Sequence, residues 1–160
     1  MLLIASGGAL DLNEVHDLIV SGSQVHSDGL RDRLESAEMI LGAIDHDNRL
    51  MGCIALKRAE GWYRTRVFAR AGVADLSSSE IGWCVVAPEH RGRGISKLLL
   101  GELLNKLGRS LTWTGRRFFA TADPSGPMAR TLQHYSFDRL GGEWSSEIDS
   151  TRRLALFVSR

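Results

Sequence analysis

The sequence contains little cysteine and little proline, and neither sign of charge is in excess. Its 160 residues include two cysteines and three prolines, and 20 lysines and arginines stand against 19 aspartates and glutamates. Two cysteines provide no disulfide framework of the kind that small secreted domains need. The balanced charge and the lack of a basic stripe with interleaved aromatic residues give no reason to expect a nucleic-acid partner.

Long hydrophobic runs and clustered metal ligands are also lacking. The first residues, MLLIASGGALD, have no basic region, and their apolar run is shorter than a signal sequence or a membrane span. The five histidines form no metal-binding spacing with each other or with the cysteines, and no HExxH motif occurs. We therefore expect a cytoplasmic protein that contacts no membrane and holds no metal.

The length and composition are those of an ordinary globular protein. Hydrophobic residues make up 43% of the chain and charged residues 24%. A chain of this length can bury one core without disulfides or metals, and no linker or internal repeat divides it. The sequence predicts a single domain over residues 1–160.

The spacing of apolar residues predicts the elements of the first half of the chain. A strand is expected at residues 2–5 and helices at 12–22 (capped by Asp11) and 30–36. The two strands of a hairpin are expected at 39–45 and 50–56. Residues 59–79 are rich in charge and end in LSSS, which predicts a variable, flexible surface loop.

The second half predicts alternating strands and helices. EIGWCVV (80–86) is apolar on both faces, as a central strand is, and Gly82 is expected to mark a bulge or a close backbone approach. Further elements are a helix from Ile95 with a leucine face that includes Leu98, a strand at 117–123, a helix at 126–135 capped by Ser125, and a last strand at 153–158. The class is α/β.

A glycine-rich loop joins the central strand to the leucine-rich helix. Strand, loop and helix in this order aim several backbone N–H groups and the positive helix end at one point, which favours phosphate. Arg91 and Arg93 add positive charge there. The P-loop pattern fails because no Lys-Ser/Thr follows the second glycine, and the dinucleotide pattern fails because Lys97 stands where its third glycine belongs.

The segment V-x-P-E-x-R-G-R-G-I (86–95) resembles the pyrophosphate loop of the GNAT superfamily of acyl-coenzyme A-dependent N-acetyltransferases. That pattern reads Arg/Gln, any, any, Gly, any, Gly/Ala, and serine departs from it at the last position. The resemblance implies that acetyl-coenzyme A is bound by Arg91, Gly92, Arg93, Gly94, Ile95 and Ser96.

The resemblance also implies a fold. It is a mixed, mostly antiparallel central sheet with two splayed parallel strands, flanked by helices. The strand at 81–86 would run parallel to the strand at 118–122, and pantetheine would enter the gap where they separate. The thioester carbonyl would lie against backbone N–H groups near Val85 and Val86.

Catalytic residues follow from the same resemblance. Glu80 matches the glutamate that deprotonates the amine in histone-type acetyltransferases, with a solvated strand-end carboxylate as the alternative. The tyrosine that protonates the leaving thiolate in many relatives is replaced by Leu132, so Tyr135 is the candidate acid, with a packed amphipathic tyrosine as the alternative. Ser125 stands where an asparagine often contacts coenzyme A, and it either binds the cofactor or only caps its helix.

Other candidates each have a functional and a structural interpretation. Cys84 could carry an acyl group, but a thiol in a central strand is more often inert core. His90 is expected to be solvated rather than bound to phosphate. Trp62 and Trp83 could line the acceptor site, although core packing is the default for Trp83. The arginines at 58, 64, 66 and 70 could favour an acidic acceptor or the nucleotide end of the cofactor, but arginines in an exposed segment are expected to be solvated.

The sequence therefore predicts an N-acetyltransferase that moves an acetyl group from acetyl-coenzyme A directly to a primary amine of a small molecule or peptide. A homodimer is common among proteins of this kind. The alternative is a non-catalytic acyl-coenzyme A sensor, which the missing tyrosine and asparagine favour and the glutamate at position 80 opposes.

Overall fold

The computed structural model describes residues 3–22, 25–58, 61–76, 78–109 and 115–160. Within these ranges the strands are β1 (Leu3–Ser6), β2 (Met39–Ile44), β3 (Leu50–Lys57), β4 (Ser79–Val86), β5 (Phe118–Ala122), β6 (Phe137–Ser145) and β7 (Arg153–Ser159). The helices are α1 (Leu12–Ser21), α2 (Leu30–Glu35), α3 (Gly61–Ala71), α4 (Ile95–Gly108) and α5 (Pro127–His134). Leu2 of the predicted first strand, and residues 59, 60 and 77 of the predicted loop, lie outside the described residues.

The strands form a seven-stranded sheet in the order β1-β2-β3-β4-β5-β7-β6. The pairs β1–β2, β2–β3, β5–β7 and β6–β7 are antiparallel, whereas β4 and β5 are parallel, with Ser79 opposite Phe118 and Glu80 opposite Phe119. The predicted fold class is confirmed: a mixed, mostly antiparallel sheet with one parallel pair, flanked by helices. That the parallel strands splay to admit pantetheine stays a prediction.

The chain divides into two compact units. One contains Met1–Lys57 and Gly82–Thr112, and the other contains Arg58–Ile81 and Trp113–Arg160. Strand β4 contributes its first residues to the second unit and the rest to the first. The expectation of a single domain stays a prediction.

The first unit is built around the β2–β3 hairpin. Asp11 caps α1 as predicted, its carboxylate accepting a hydrogen bond from the Asn13 backbone N–H at 2.8 Å. One buried cluster joins residues of α1, α2, the hairpin and β4. Helix α4 buries Ile95, Leu99, Leu100, Leu103 and Leu107, but Leu98 is 43% exposed, so its predicted place on the buried face is wrong.

The second unit contains a helix where a loop was expected at 59–79, so that prediction is wrong. Residues 61–71 form α3, which buries Val67, Phe68 and Ala71 against Phe119, Leu156 and Val158. The rings of Phe68 and Phe119 meet edge to face, with centroids 5.5 Å apart. Packing of three apolar residues on one face therefore outweighs the charged composition of the segment.

The second unit also contains β6, which the sequence analysis missed. This strand lies at the edge of the sheet, and most of its residues are exposed or half-buried, so it has no clear apolar alternation. Its register shifts between Leu140 and Glu143, where two glycines stand. Among the described helices, none is long and apolar enough to cross a membrane.

Candidate functional site

The predicted phosphate loop lies between β4 and α4 in the first unit, where the sequence placed it. A short 3-10 turn at Pro88–His90 follows the strand, and Gly92 and Gly94 both have φ of +77°. Residues with a side chain are strained at this angle, so the loop needs glycine at both positions. A Cβ at either glycine would find no atom within 4 Å, so the space beside the loop is open.

Gly94 is the N-terminal cap of α4, and the first turn of the helix leaves N–H groups available. The Leu98 N–H donates to the Gly94 carbonyl at 3.0 Å, so the N–H groups of Ile95 and Ser96 precede the helical hydrogen-bond ladder. They point out of the positive end of a 14-residue helix. This end of α4 can therefore bind an anion.

The two arginines of the loop differ in their contacts. Arg91 folds back, and its Nε donates to the Val86 carbonyl at 3.2 Å, so it holds the loop to the end of β4. Arg93 is exposed and lines a surface cleft with Gly94 and Ile95. The cleft is also lined by Asp45, His46, Met51 and Leu98. Backbone N–H groups and a guanidinium beside open space fit a pyrophosphate group.

His90, expected to be solvated, is half-buried in the 3-10 turn. Its Nδ1 atom is buried and has no hydrogen-bond partner among the described residues. Its backbone N–H donates to the Ala87 carbonyl at 2.9 Å, which fixes the turn. The expectation of a solvated side chain is therefore wrong.

Val85 and Val86 end β4 directly before this turn. Val85 is buried and Val86 is half-buried. The bulge or close approach expected at Gly82 stays a prediction, and its neighbour Trp83 has φ of +49°, an angle that costs energy for a bulky residue. Trp83 is 8% exposed in the first unit's core, and the Lys57 ammonium lies 4.7 Å from its ring centroid. The core interpretation of Trp83 is the one the structure bears out.

Glu80 is the second residue of β4, in the second unit. Its side chain is buried, with 6% exposure, beside its register partner Phe119. The alternative of a solvated strand-end carboxylate is wrong. A buried carboxylate is costly to desolvate, and such residues are kept where they have a partner or a task.

Tyr135 and Ser125 lie at the two ends of α5. Tyr135 follows the last helical residue as the C-terminal cap, half-buried, with its ring edge-on to His134 at 5.0 Å between centroids. Leu132, in the place of the usual tyrosine, is fully buried. The helix is capped by Gly126 rather than Ser125, so the predicted cap is wrong.

Ser125 bonds to an aspartate instead of to the helix. Its hydroxyl donates to Asp123 Oδ1 at 2.7 Å, and its backbone N–H donates to the same oxygen at 2.9 Å. These bonds hold the pKa of the Asp123 carboxyl below its usual value. Ser125 therefore shapes the turn between β5 and α5, and its contact with coenzyme A stays a prediction.

The cysteines are poor nucleophiles. Burial raises the thiol pKa of both Cys53 and Cys84 to about 12. The Cys53 Sγ donates to the Trp83 carbonyl at 3.5 Å. The structure favours inert core over an acyl-carrying Cys84.

Several charged side chains outside the loop are paired in the described part of the chain. Arg64 donates to Asp75 at 2.8 Å, and Arg66 and Arg70 both pair with Glu147, so the expectation that these arginines are merely solvated is wrong. Ligand atoms of Asp45, His46 and Asp47 lie within 4.8 Å of one another at the β2–β3 turn. Asp45 accepts from two backbone N–H groups of that turn, so its position has a structural reason.

The sequence analysis missed Tyr63 on α3. Its hydroxyl hydrogen-bonds with the Thr121 side chain, and the charge of Glu80 acts on it. Burial raises the pKa of Tyr63 to about 12, and the Glu80 carboxylate contributes to the rise. No local motif could reveal this grouping, because α3, β4 and β5 are distant in sequence.

The model of the acetyltransferase (GNAT) family matches residues 13–131. No curated protein matches.

Solved structures similar to the chain share its fold at low identity. A ribosomal-protein-alanine N-acetyltransferase from Brucella melitensis is 16% identical over 98% of each chain, with a TM-score of 0.69. A spermidine N-acetyltransferase from Vibrio cholerae is 15% identical over 98% of this chain and 94% of its own, with a TM-score of 0.66. An acyl-CoA N-acyltransferase from Pseudomonas aeruginosa is 14% identical over all of both chains, with a TM-score of 0.67.

Proposed function

Because this chain belongs to the acetyltransferase (GNAT) family, and is thus an acyltransferase of the N-acetyltransferase type, we propose that it moves an acetyl group from acetyl-coenzyme A directly to a primary amine. The observation that carries the proposal is the loop before α4, where Gly92 and Gly94 at φ of +77° expose the helix N-terminus beside Arg93. This is the local structure that a pyrophosphate group needs.

Residues 91–96 are proposed to hold the cofactor's pyrophosphate. The N–H groups of Ile95 and Ser96 would donate to the phosphate oxygens, and Arg93 would add a charge-assisted bond. Arg91 would act through the backbone, since it holds the loop to the Val86 carbonyl. Ser125 is a further proposed contact.

Acetyl-coenzyme A, when bound, supplies the acetyl group as an activated thioester. Transfer forms a C–N bond to the acceptor nitrogen and breaks the C–S bond, and the sulfur leaves as thiolate. The acceptor must first lose the proton of its ammonium group, and the thiolate must gain one. The backbone N–H groups near Val85 and Val86 are proposed to stabilise the oxyanion, where one donor contributes about 3 kcal/mol.

Glu80 is the proposed base, and Tyr135 the proposed acid. The burial of Glu80 at the start of β4 supports the first assignment, since buried carboxylates are found at functional sites more often than elsewhere. Tyr135 is half-buried after α5, whereas Leu132 is fully buried, and this supports the second assignment. Small-molecule and peptide amines are both proposed as acceptors.

The cofactor assignment is tested by Gly94→Ala, with Gly72→Ala as the matched control. Gly72 follows α3 at φ of +73° and also has open space around it, so both variants carry the same backbone strain. Calorimetric titration with coenzyme A should show affinity at least about tenfold weaker for Gly94→Ala and unchanged for Gly72→Ala. Equal affinities in the two variants would overturn the assignment of the loop.

The base is tested by Glu80→Gln, with Glu14→Gln, an exposed residue of α1, as the control. An enzyme that uses Glu80 should lose turnover by about 100-fold or more and still bind acetyl-coenzyme A. The alternative of a sensor, in which Glu80 has no chemical task, predicts that neither variant changes any response to acetyl-coenzyme A.

A further inference from the structure

One face of the second unit's sheet carries a carboxylate and a hydroxyl side by side with apolar residues. Glu80 on β4 is the parallel partner of Phe119 on β5, so the two side chains lie on the same face. Thr121 is two residues beyond Phe119 and therefore also lies on that face. The antiparallel partners of Phe119 and Thr121 are Val158 and Leu156, which belong to the same buried cluster as Phe119.

Helix α3 covers this face. Phe68 meets Phe119 edge to face, and Tyr63, little more than one helical turn earlier, packs on the same cluster. The Tyr63 hydroxyl hydrogen-bonds with the Thr121 side chain and feels the charge of Glu80. A phenol is thus enclosed with a buried carboxylate, which is an arrangement that core packing alone does not require.

We infer that Tyr63 is a positioning residue for Glu80: its hydroxyl, anchored by Thr121, holds the Glu80 carboxylate in place while that carboxylate accepts a proton from the acceptor's ammonium group. The inference rests on the proposed function, in which Glu80 is the base. Tyr63 keeps its own proton throughout, so no bond to it forms or breaks.

Burial of Tyr63, together with the Glu80 carboxylate, favours the neutral phenol that this role needs. Burial and the Glu80 carboxylate raise its pKa, whereas Thr121, Arg66 and Arg70 act in the opposite direction, with a net value of about 12. Both arginines also pair with Glu147. The phenol is therefore protonated throughout the working range of an enzyme and can donate a hydrogen bond.

The proximity of Tyr63 to Glu80 can be measured without any turnover. The chain has two tyrosines, so Tyr135→Phe leaves Tyr63 as the only phenol. The Cζ chemical shift of Tyr63, followed by NMR as the pH rises, should begin to move at a lower pH when Glu80→Gln is added, because a negative charge has been removed. The same onset with and without Glu80 would overturn the inference.

The positioning role is measured by the turnover of Tyr63→Phe. This variant removes one oxygen and keeps the ring, so the packing on Phe119 remains. We expect kcat to fall about tenfold with KM for acetyl-coenzyme A unchanged, because the hydroxyl that holds the base in place is lost and cofactor binding is not touched. Thr121→Ser should behave as the parent, and Thr121→Val should change in the direction of Tyr63→Phe.

Phe68→Leu is the structural control. It loosens the same cluster without touching a hydroxyl, so it should lower Tm and leave kcat at the parent's value. If Tyr63→Phe also keeps the parent's kcat while Glu80→Gln abolishes turnover, the positioning role is wrong and the proposed base stands. If Glu80→Gln keeps the parent's turnover, the base itself is wrong and the positioning role fails with it.

Discussion

Gly141 has no room for a side chain. It stands in the bulge of β6 with φ of +68°, and a Cβ there would overlap the carbonyl oxygen of Ala71 at the end of α3. Because the obstacle is backbone, it cannot rotate away as a side chain can. This glycine lets α3 approach the edge strand closely.

Gly141→Ala should therefore destabilise the protein by about 3 kcal/mol or more, from overlap and backbone strain together. Gly142→Ala is the matched control, since a Cβ at Gly142 meets no atom within 4 Å. Urea unfolding followed by circular dichroism measures both. Equal free energies of unfolding for the two variants would show that α3 does not pack here as described.

The two cysteines should be chemically silent in the folded protein. With a thiol pKa of about 12, Cys84 is about one part in 100,000 thiolate at pH 7. Cys84→Ala should keep the parent's turnover, and a thiol-specific reagent should react with the half-buried Cys84 far more slowly in the folded protein than after unfolding. Rapid labelling of the folded protein at pH 7, or loss of turnover in Cys84→Ala, would indicate that Cys84 is a nucleophile.

At the scale of elements, α3 depends on its apolar face. Phe68 is fully buried against Phe119, whereas Trp62 on the same helix is 62% exposed. Phe68→Ala should cost about 3–5 kcal/mol of unfolding free energy, and Trp62→Ala less than about 1 kcal/mol. If both variants unfold at the parent's urea concentration, residues 61–71 are the surface segment that their composition suggests.

Elements set by local pattern were predictable, and elements set by distant contacts were not. The β2–β3 hairpin, β4, the glycine loop and α4 follow from apolar spacing and turn residues close in sequence. Helix α3 was missed because its three arginines are as many as its three buried residues and obscure the apolar spacing, and β6 was missed because an edge strand with a glycine bulge shows no alternation.

The candidate site divides in the same way. The loop at residues 91–96 could be predicted because all of its parts are contiguous. The predicted helix cap at Ser125 is wrong because its hydroxyl and backbone N–H both donate to Asp123, two residues earlier. The place of Tyr63 in the candidate site could not be predicted, because its hydrogen-bond partner Thr121 lies 58 positions further along the chain. Thr121 belongs to a strand whose position beside α3 depends on the whole fold.

At the scale of the whole molecule, the pH dependence of stability follows from its aspartates. Asp45, Asp123, Asp138 and Asp149 have pKa values held below 3.8 by hydrogen bonds to backbone N–H groups, hydroxyls or a guanidinium. A carboxyl whose folded pKa is depressed stabilises the fold above its unfolded pKa, and that contribution is lost as the pH falls through the folded value.

The urea concentration at half-unfolding should therefore be nearly constant from pH 7 to pH 5 and fall below about pH 4. Asp138, which Arg160 binds through two nitrogens, allows a specific check: Asp138→Asn should reduce the dependence on pH below 4. A stability that rises as the pH falls from 5 to 3 would contradict these assignments.

The family model spans residues of both compact units, so the proposed activity belongs to the chain as a whole. A cytoplasmic location, a homodimer and the absence of metal, membrane and nucleic-acid partners stay predictions. The acceptor stays a proposal as well, with small-molecule and peptide amines as its classes.

The central claim is that the chain acetylates amines from acetyl-coenzyme A, and thiol release tests it most directly. Free coenzyme A thiol should appear from acetyl-coenzyme A when the protein is given a mixed panel of polyamine, amino-acid and peptide amines. When the amines are left out, the rate of thiol release should fall to that of buffer without protein. Tight binding of acetyl-coenzyme A with no thiol release from any amine in the panel would contradict the claim and favour a sensor.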